Sequence, residues 1–212
     1  MSGIAPVKFV AIGGGTGLST LLKGLKPHIA PPVLDALSNA EASAEQDERA
    51  QRAEIGPQIS LTAIVTVTDD GKSSGRLRGE FSVLPPGDIR NCLVALADED
   101  HLITQLFRHR FPGNGAIGGH SLGNLILLAL NQMGGCFLQA IEQARSMLGI
   151  TARVLPSTLD GVDLMAQVDG RLVRGQVAIK SQNAPIRELT ISPPDARALD
   201  EAVEAIDRKS VV

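Results

Sequence analysis

Four stretches of this chain carry residues that could hold an anionic ligand. Gly13-Gly14-Gly15-Thr16-Gly17 places four glycines in five positions, and Leu18 then opens a helical pattern. Glycines let a backbone approach closely and adopt dihedrals closed to other residues. A helix start leaves amide donors unpaired under a partial positive charge, which suits a phosphate. Thr16 adds a hydroxyl. The dinucleotide pattern needs a third glycine where Leu18 stands, and the Gly-Lys-Ser/Thr of a P-loop is absent. A tight strand-to-helix turn without a ligand is the alternative reading.

Asp69-Asp70 follows a β-branched apolar run directly. At the carboxyl end of a parallel strand such carboxylates face the ligand crevice. There one could accept a hydroxyl, hold a metal ion or take a proton. Adjacent aspartates rarely point the same way, so two separate roles are expected. An Asx-turn, which Asp-Gly favours, is the structural alternative. Ser73, Ser74, Arg76 and Arg78 offer hydroxyls and guanidinium forks suited to phosphate, although a solvated loop would read alike. Asp88-Ile89-Arg90-Asn91 opens a helix, with Asp88 expected at the N-cap. Arg90 and Asn91 reach a ligand or pair with Asp69 or Asp70. His120, Asn124 and Asn131 share one helix face, where they must bond a ligand or another loop.

These residues need a scaffold. Val7 to Ile12 and Leu61 to Val67 read as buried parallel strands. A helix runs from Leu18 to Leu25, and Pro27 closes it. Thr68 to Gly79 reads as a loop. Helices are expected over 89–97, 102–108, 121–133 and 138–148, with a glycine-rich loop from Gly113 to Gly119. A strand follows at Ala152 to Leu155. Asp169-Gly170 marks a hairpin between Leu164–Val168 and Leu172–Ile179. Arg187 to Ile191 is a last strand. Pro193-Pro194 opens a final helix reaching about Arg208, with Leu199, Val203 and Ile206 on its buried face. The class is α/β: a Rossmann-like, mainly parallel sheet with a small β-rich C-terminal lobe. Residues 1–150 form the nucleotide-binding core, with a polar insertion at 33–58. Residues 151–192 form the lobe and 193–212 the final helix. The acidic stretch from Ser38 to Glu54 is expected to be dispensable.

Composition excludes several classes. With 43 % apolar residues the chain can build a core, and a net charge of −3 without a basic block leaves no nucleic-acid footprint. Five Phe, no Trp and no Tyr leave few stacking platforms, and no Tyr-Lys hydride site of an NAD dehydrogenase exists. Cys92 and Cys136 show neither a disulfide framework nor metal-ligand spacing with the His residues. No run is long enough to span a membrane and no secretory signal is visible, so a reducing cytoplasm is expected.

Together the motifs resemble the YvcK/CofD-like family. They are the glycine loop through Ser19, Thr62 to Gly71, Ser73 to Arg78, Leu84 to Leu93, Gly119 to Leu125 and Val154 to Thr158. The resemblance runs from about Val7 to Arg208, the polar insertion excepted. One family branch is 2-phospho-L-lactate transferase of coenzyme F420 assembly. The other is the YvcK type, called gluconeogenesis factor, which this wording resembles more. That branch implies a regulator of cell shape and cell-wall control that binds a UDP-sugar such as UDP-N-acetylglucosamine, with a protein partner or a second copy of the chain. The ligand would touch Gly13, Gly14, Gly15, Thr16, Gly17, Leu18, Ser73, Ser74, Arg76, Asp88, Arg90, Asn91, His120 and Asn124. The transferase alternative implies Mg2+, with Asp69 and Asp70 catalytic. Position 72 is Lys where the family usually has glycine. The family also continues after the final helix into a further strand and a Gly-Pro-Gly-Ser loop. The fold is therefore expected to be truncated, with too few residues for that strand, an exposed apolar edge and a tendency to self-associate.

Overall fold

The computed structural model describes residues 6–30, 58–207 and 210–211. The polar insertion lies outside the described residues. Strand β1 (Val7–Gly13) leads into helix α1 (Gly15–Leu25), and Pro27 turns the last residues into a short 3-10 turn, Lys26–His28. Strand β2 (Ile59–Val65) pairs parallel with β1 along its length. Five helices then precede the next strand: α2 (Lys72–Phe81), α3 (Gly87–Leu96), α4 (Leu102–Arg108), α5 (Leu122–Gly134) and α6 (Phe137–Met147). Strand β3 (Arg153–Pro156) returns parallel to the far side of β2.

Both faces of the sheet are covered, which is why its strands are apolar on both sides. Ala11, Ala63, Val65 and Val154 pack with Leu18, Leu22, Ile89, Leu93, Leu127 and Ile141 on one face. Val10, Ile64 and Leu155 pack with Leu199, Ala202 and Ala205 on the other. The buried Cys92 lies in the first of these cores, and its burial together with the charge of Asp88 pushes its thiol up to about 12, so it stays protonated at neutral pH. Neither cysteine forms a disulfide.

A second sheet is built from β4 (Asp163–Val168), β5 (Arg171–Arg174) and β6 (Ile186–Ser192), in the order β5-β4-β6, all antiparallel. Asp169 and Gly170 turn the hairpin with φ of 47° and 75°, the left-handed pair that a two-residue hairpin needs. Helix α7 (Gln176–Ser181) lays Ile179 against Ala166 and Val168. Two links tie this lobe to α2. Asp163 takes Arg78 at 2.8 Å and Arg174 at 3.0 Å, and Asp70 reaches the start of α7.

Several expectations need correction. Strand β2 starts and ends two residues earlier than read, so Asp69-Asp70 sits four residues beyond the strand rather than at its tip. The stretch read as a loop to Gly79 is helical from Lys72, because Ser73, Ser74 and Leu77 share a face that buries. Lys72 itself has φ of 45°, the left-handed region where glycine is at ease. The run read as one strand to Ile179 divides into β5 and α7 at Gly175, whose φ is 95°. The last helix, α8 (Asp200–Asp207), begins well after Pro193-Pro194, and its buried residues are Ala202 and Ala205. Val203 and Ile206 are exposed. The small alanines let α8 lie close on the sheet, which the larger side chains would prevent. Finally, Ser210–Val211 does form a strand, β7, pairing parallel with β1 at Phe9 and Val10.

Candidate functional site

The glycine loop leaves β1 at its carboxyl end, where ligands of open α/β sheets bind. Gly14 is extended and Gly15 has φ of 56°, which an L side chain rarely adopts. A Cβ on Gly14 would lie 2.0 Å from Thr66 Oγ1 and 3.0 Å from Asp88 Oδ2, so this backbone is pressed against the exit of β2 and the start of α3. The Thr66 amide also donates to the Gly13 carbonyl at 2.8 Å. The amide of Gly15 donates to Asp88. The next two amides, of Thr16 and Gly17, have no acceptor among the described residues and open to solvent at the α1 N-terminus. Leu18 belongs to the core, so only its backbone faces this side.

Asp88 is not the N-cap of α3. That position is Pro86, without a side-chain cap bond. Asp88 stands two residues after the cap, in the first turn, and points across to the glycine loop. Burial pushes its carboxyl above the usual range, the neighbouring Asp69 adds to this, and the Gly15 amide and Arg90 oppose it. The folded protein thus holds the Asp88 proton more tightly than the unfolded chain does. The stability this proton contributes is present at low pH and is lost as pH rises through the folded value. Asp88→Asn keeps an oxygen for the Gly15 amide and removes the buried charge. Its melting temperature at pH 7 should exceed that of the parent by a few degrees, at about 2–4 °C per kcal/mol for a chain this size. The gap should close as the pH falls toward 4. Thermal melts across that range are the check, and a lower melting point at pH 7 would contradict this electrostatic account.

Asp69 and Asp70 separate as expected from their adjacency. Asp69 Oδ1 accepts from the Gly71 amide at 3.0 Å, the Asx-turn, while its Oδ2 lies 2.7 Å from where a Gly87 Cβ would be. Ser74 Oγ converges on the same point, at 2.2 Å. Asp69 therefore faces Asp88 and the glycine loop. Asp70 turns the other way: its Oδ1 accepts from the Val177 amide at 3.0 Å and caps α7.

A second network links α2, α3 and α5. Arg90 Nε donates to Asn124 Oδ1 at 3.2 Å and Nη2 to Asn91 Oδ1 at 2.6 Å. Arginine can only donate, so the Asn124 oxygen must face it and the amide nitrogen must face Ser73. Asn124 Nδ2 donates to Ser73 Oγ at 3.0 Å, and Ser73 lies 2.8 Å from His120 Nδ1. The hydroxyl of Ser73 can donate to Nδ1 or accept from it, according to the tautomer of the ring. Burial lowers the pKa of His120 and the field of Arg76 lowers it further, Glu80 opposing, so the ring is neutral. His120 precedes α5 instead of lying on it. Ser121 is the N-cap, accepting from the Asn124 amide at 3.3 Å. Asn131, a further two turns along, takes no part in the network.

Thr66, Gly87 and Arg110 belong to the site although the sequence did not single them out. Gly87 lay inside a recognisable Pro-Pro-Gly-Asp run. Thr66 was hidden as a strand residue. Arg110 has no local signal, because a backbone bridge to Ser121 brings it in. A groove of about 550 Å3 runs along the outer edge of β3 between Cys136, Glu142 and Glu201, but it contains none of these residues. Among the described residues no three His, Cys, Asp or Glu are grouped as metal ligands. The pair Asp69 and Asp88, with the Thr66 and Ser74 hydroxyls, is an all-oxygen set of the kind that suits Mg2+.

The fold is that of an α/β protein of Rossmann-like architecture, with the candidate residues gathered at the carboxyl ends of β1 and β2. A family model described as 2-phospho-L-lactate transferase CofD matches residues 9–212. The chain belongs to this CofD family. The gluconeogenesis factor of Halalkalibacterium halodurans is 38 % identical over 204 residues, covering 96 % of this chain and 54 % of that protein. That of Bacillus subtilis strain 168 is 37 % identical over 206 residues, covering 97 % and 56 %. A crystal structure of a UPF0052-family protein from Bacillus halodurans has a TM-score of 0.80 at 37 % identity, over 99 % of this chain and 58 % of that one. The chain thus spans little more than half the length of these relatives. No helix among the described residues is long and apolar enough to cross a membrane.

Proposed function

We propose that this chain is a nucleotide-sugar-binding regulator of the gluconeogenesis-factor kind, holding a UDP-sugar such as UDP-N-acetylglucosamine. The observation that carries the reading is the open pair of amides at Thr16 and Gly17, at the start of α1 behind a glycine that only a bare backbone can occupy. The diphosphate lies on those donors. Asp69 accepts from a hydroxyl, and the neutral His120 offers Nε2 as its second hydrogen-bonding atom. The protein acts in the cytoplasm and reports envelope-precursor supply to a protein partner or a second copy of the chain. Calorimetric titration with UDP-N-acetylglucosamine tests this. The parent should bind, and Gly15→Val should weaken binding at least tenfold while the chain stays folded, its left-handed backbone costing about 1–2 kcal/mol. Equal affinity in both proteins would remove the glycine loop from the site.

The convergence of Asp69 and Asp88 favours a second reading, a 2-phospho-L-lactate transferase-type enzyme. Mg2+ held by these carboxylates would neutralise phosphate charge during transfer. Asp69 and Asp88 would hold the ion, and the α1 amides would orient the donor phosphates. A phosphodiester product, detected by mass spectrometry after incubation with an F420 precursor, a phospholactyl donor and Mg2+, would decide for the enzyme.

A further inference from the structure

Three arginines, two from helices and one from the connection between α4 and α5, meet around the turn from Gly118 to Asn124. Arg76 of α2 donates through Nη2 to the Gly118 carbonyl at 2.7 Å. Arg110, between α4 and α5, donates through Nη1 to the next carbonyl, Gly119, at 2.5 Å. Arg90 of α3 is held by Asn124 and Asn91. Every one of these acceptors is neutral. None of the three arginines forms an ion pair among the described residues.

The charges act on one another. Arg110 disfavours the charge of the half-buried Arg90, and Arg76 and Arg110 both disfavour a charged His120. The acidic groups in this field are Glu80, felt at His120, and Asp88, felt at Arg90, and neither makes contact there. Arg90 is half-buried and Arg76 and Arg110 are exposed beside it, and like charges gathered there disfavour one another until an anion joins them. A guanidinium has five N–H donors in a fork that matches a phosphate or carboxylate, and here most of them are uncommitted. Two forks anchored on consecutive carbonyls are held in place before any ligand arrives, which lowers the ordering cost of binding.

We propose that Arg110, with Arg76 and Arg90, forms an anion subsite beside the glycine loop that takes a phosphate or carboxylate group of the ligand. The proposal rests on the nucleotide-sugar reading for the ligand's class. The subsite can be probed without it, by inorganic pyrophosphate. The subsite gives the crevice two ends of opposite charge: Asp69 and Asp88 at one, the arginines and the neutral His120 at the other. A ligand spanning it presents hydroxyls or a bound cation to the first and an anion to the second.

Titration calorimetry on the full chain at low salt is the test. Pyrophosphate should bind the parent, Arg110→Gln should weaken it at least tenfold, and Arg110→Lys should recover part of the loss. Melting curves of both variants establish that they are folded. NMR titration of the His120 ring localises the anion: bound pyrophosphate offsets Arg76 and Arg110, so the apparent pKa of His120 should rise. No pyrophosphate binding by the parent, equal affinity in Arg110→Gln, or an unmoved His120 would each overturn the subsite. UDP-glucuronate and UDP-glucose differ by one carboxylate and identify the source of the anion. Tighter binding of UDP-glucuronate, lost in Arg110→Gln, assigns the subsite to an acidic sugar. Equal binding, with both weakened by Arg110→Gln, assigns it to the diphosphate. If neither UDP-sugar binds while pyrophosphate still does, the nucleotide-sugar reading fails and the subsite stands.

Discussion

Gly14→Ala is expected to lose nucleotide-sugar binding by about 100-fold, the equivalent of one or two charge-assisted hydrogen bonds at about 1.5–3 kcal/mol each. The added Cβ would meet Thr66 Oγ1 at 2.0 Å and Asp88 Oδ2 at 3.0 Å. Thr66 is short and β-branched and its amide is tied to Gly13, so it cannot swing away. The loop must move instead, and the amides of Thr16 and Gly17 move with it. Overpacking of this kind costs about 1–3 kcal/mol of stability. Adding Thr66→Ala removes the closest clash and should restore most of the melting temperature. Binding should recover only where the loop has returned to its place. Calorimetry and melts on the single and double variants separate the two effects. A Gly14→Ala protein that binds like its parent would show that no phosphate lies on this loop.

Asp69→Asn and Asp70→Ala should fail in opposite ways. Asn at 69 keeps the oxygen that accepts from Gly71 and removes the charge that adds to the effect of burial on Asp88. Its melting temperature should hold or rise, while ligand binding, or any transferase activity, falls at least tenfold. Ala at 70 removes the cap from α7, a loss of about 0.5–2 kcal/mol. The same carboxylate is held 2.3 Å from the Cβ position of Gly175, so its loss also leaves a gap between α2 and the lobe. Its melting temperature should fall by a few degrees, with ligand affinity within about threefold of the parent. Melts and titrations on both variants are the check. If both behave like the parent, the Asp-Asp pair has neither role.

Much of this was legible in the residues themselves. Apolar runs of strand length and apolar repeats of helix length report burial on two faces or on one, so the parallel sheet and most helices could be located from pattern alone. Glycines between strand and helix marked the loop, and Asp169-Gly170 marked the hairpin, because backbone sterics restrict such positions to few residue types. The motifs around Asp69, Asp88 and His120 were visible for the same reason: polar residues beside apolar runs need a partner.

Which partner each polar group takes was decided only by tertiary structure. Asp69 and Asp70 are neighbours in sequence, yet one faces Asp88 and the other a helix start 107 residues away. Asp88 reads as a cap because cap preference is local, but Pro86 holds that place and the carboxylate serves α1. Arg110 has no pattern of its own and reaches the site only because the chain folds back beside Ser121. Val203 and Ile206 have the spacing of a buried face, but the close approach of α8 to the sheet admits Ala202 and Ala205 instead. Local pattern records what a residue needs, water or its absence, a charge or a donor. The pairing that meets the need depends on distances set between elements far apart in the chain, and on which side chains their packing leaves room for.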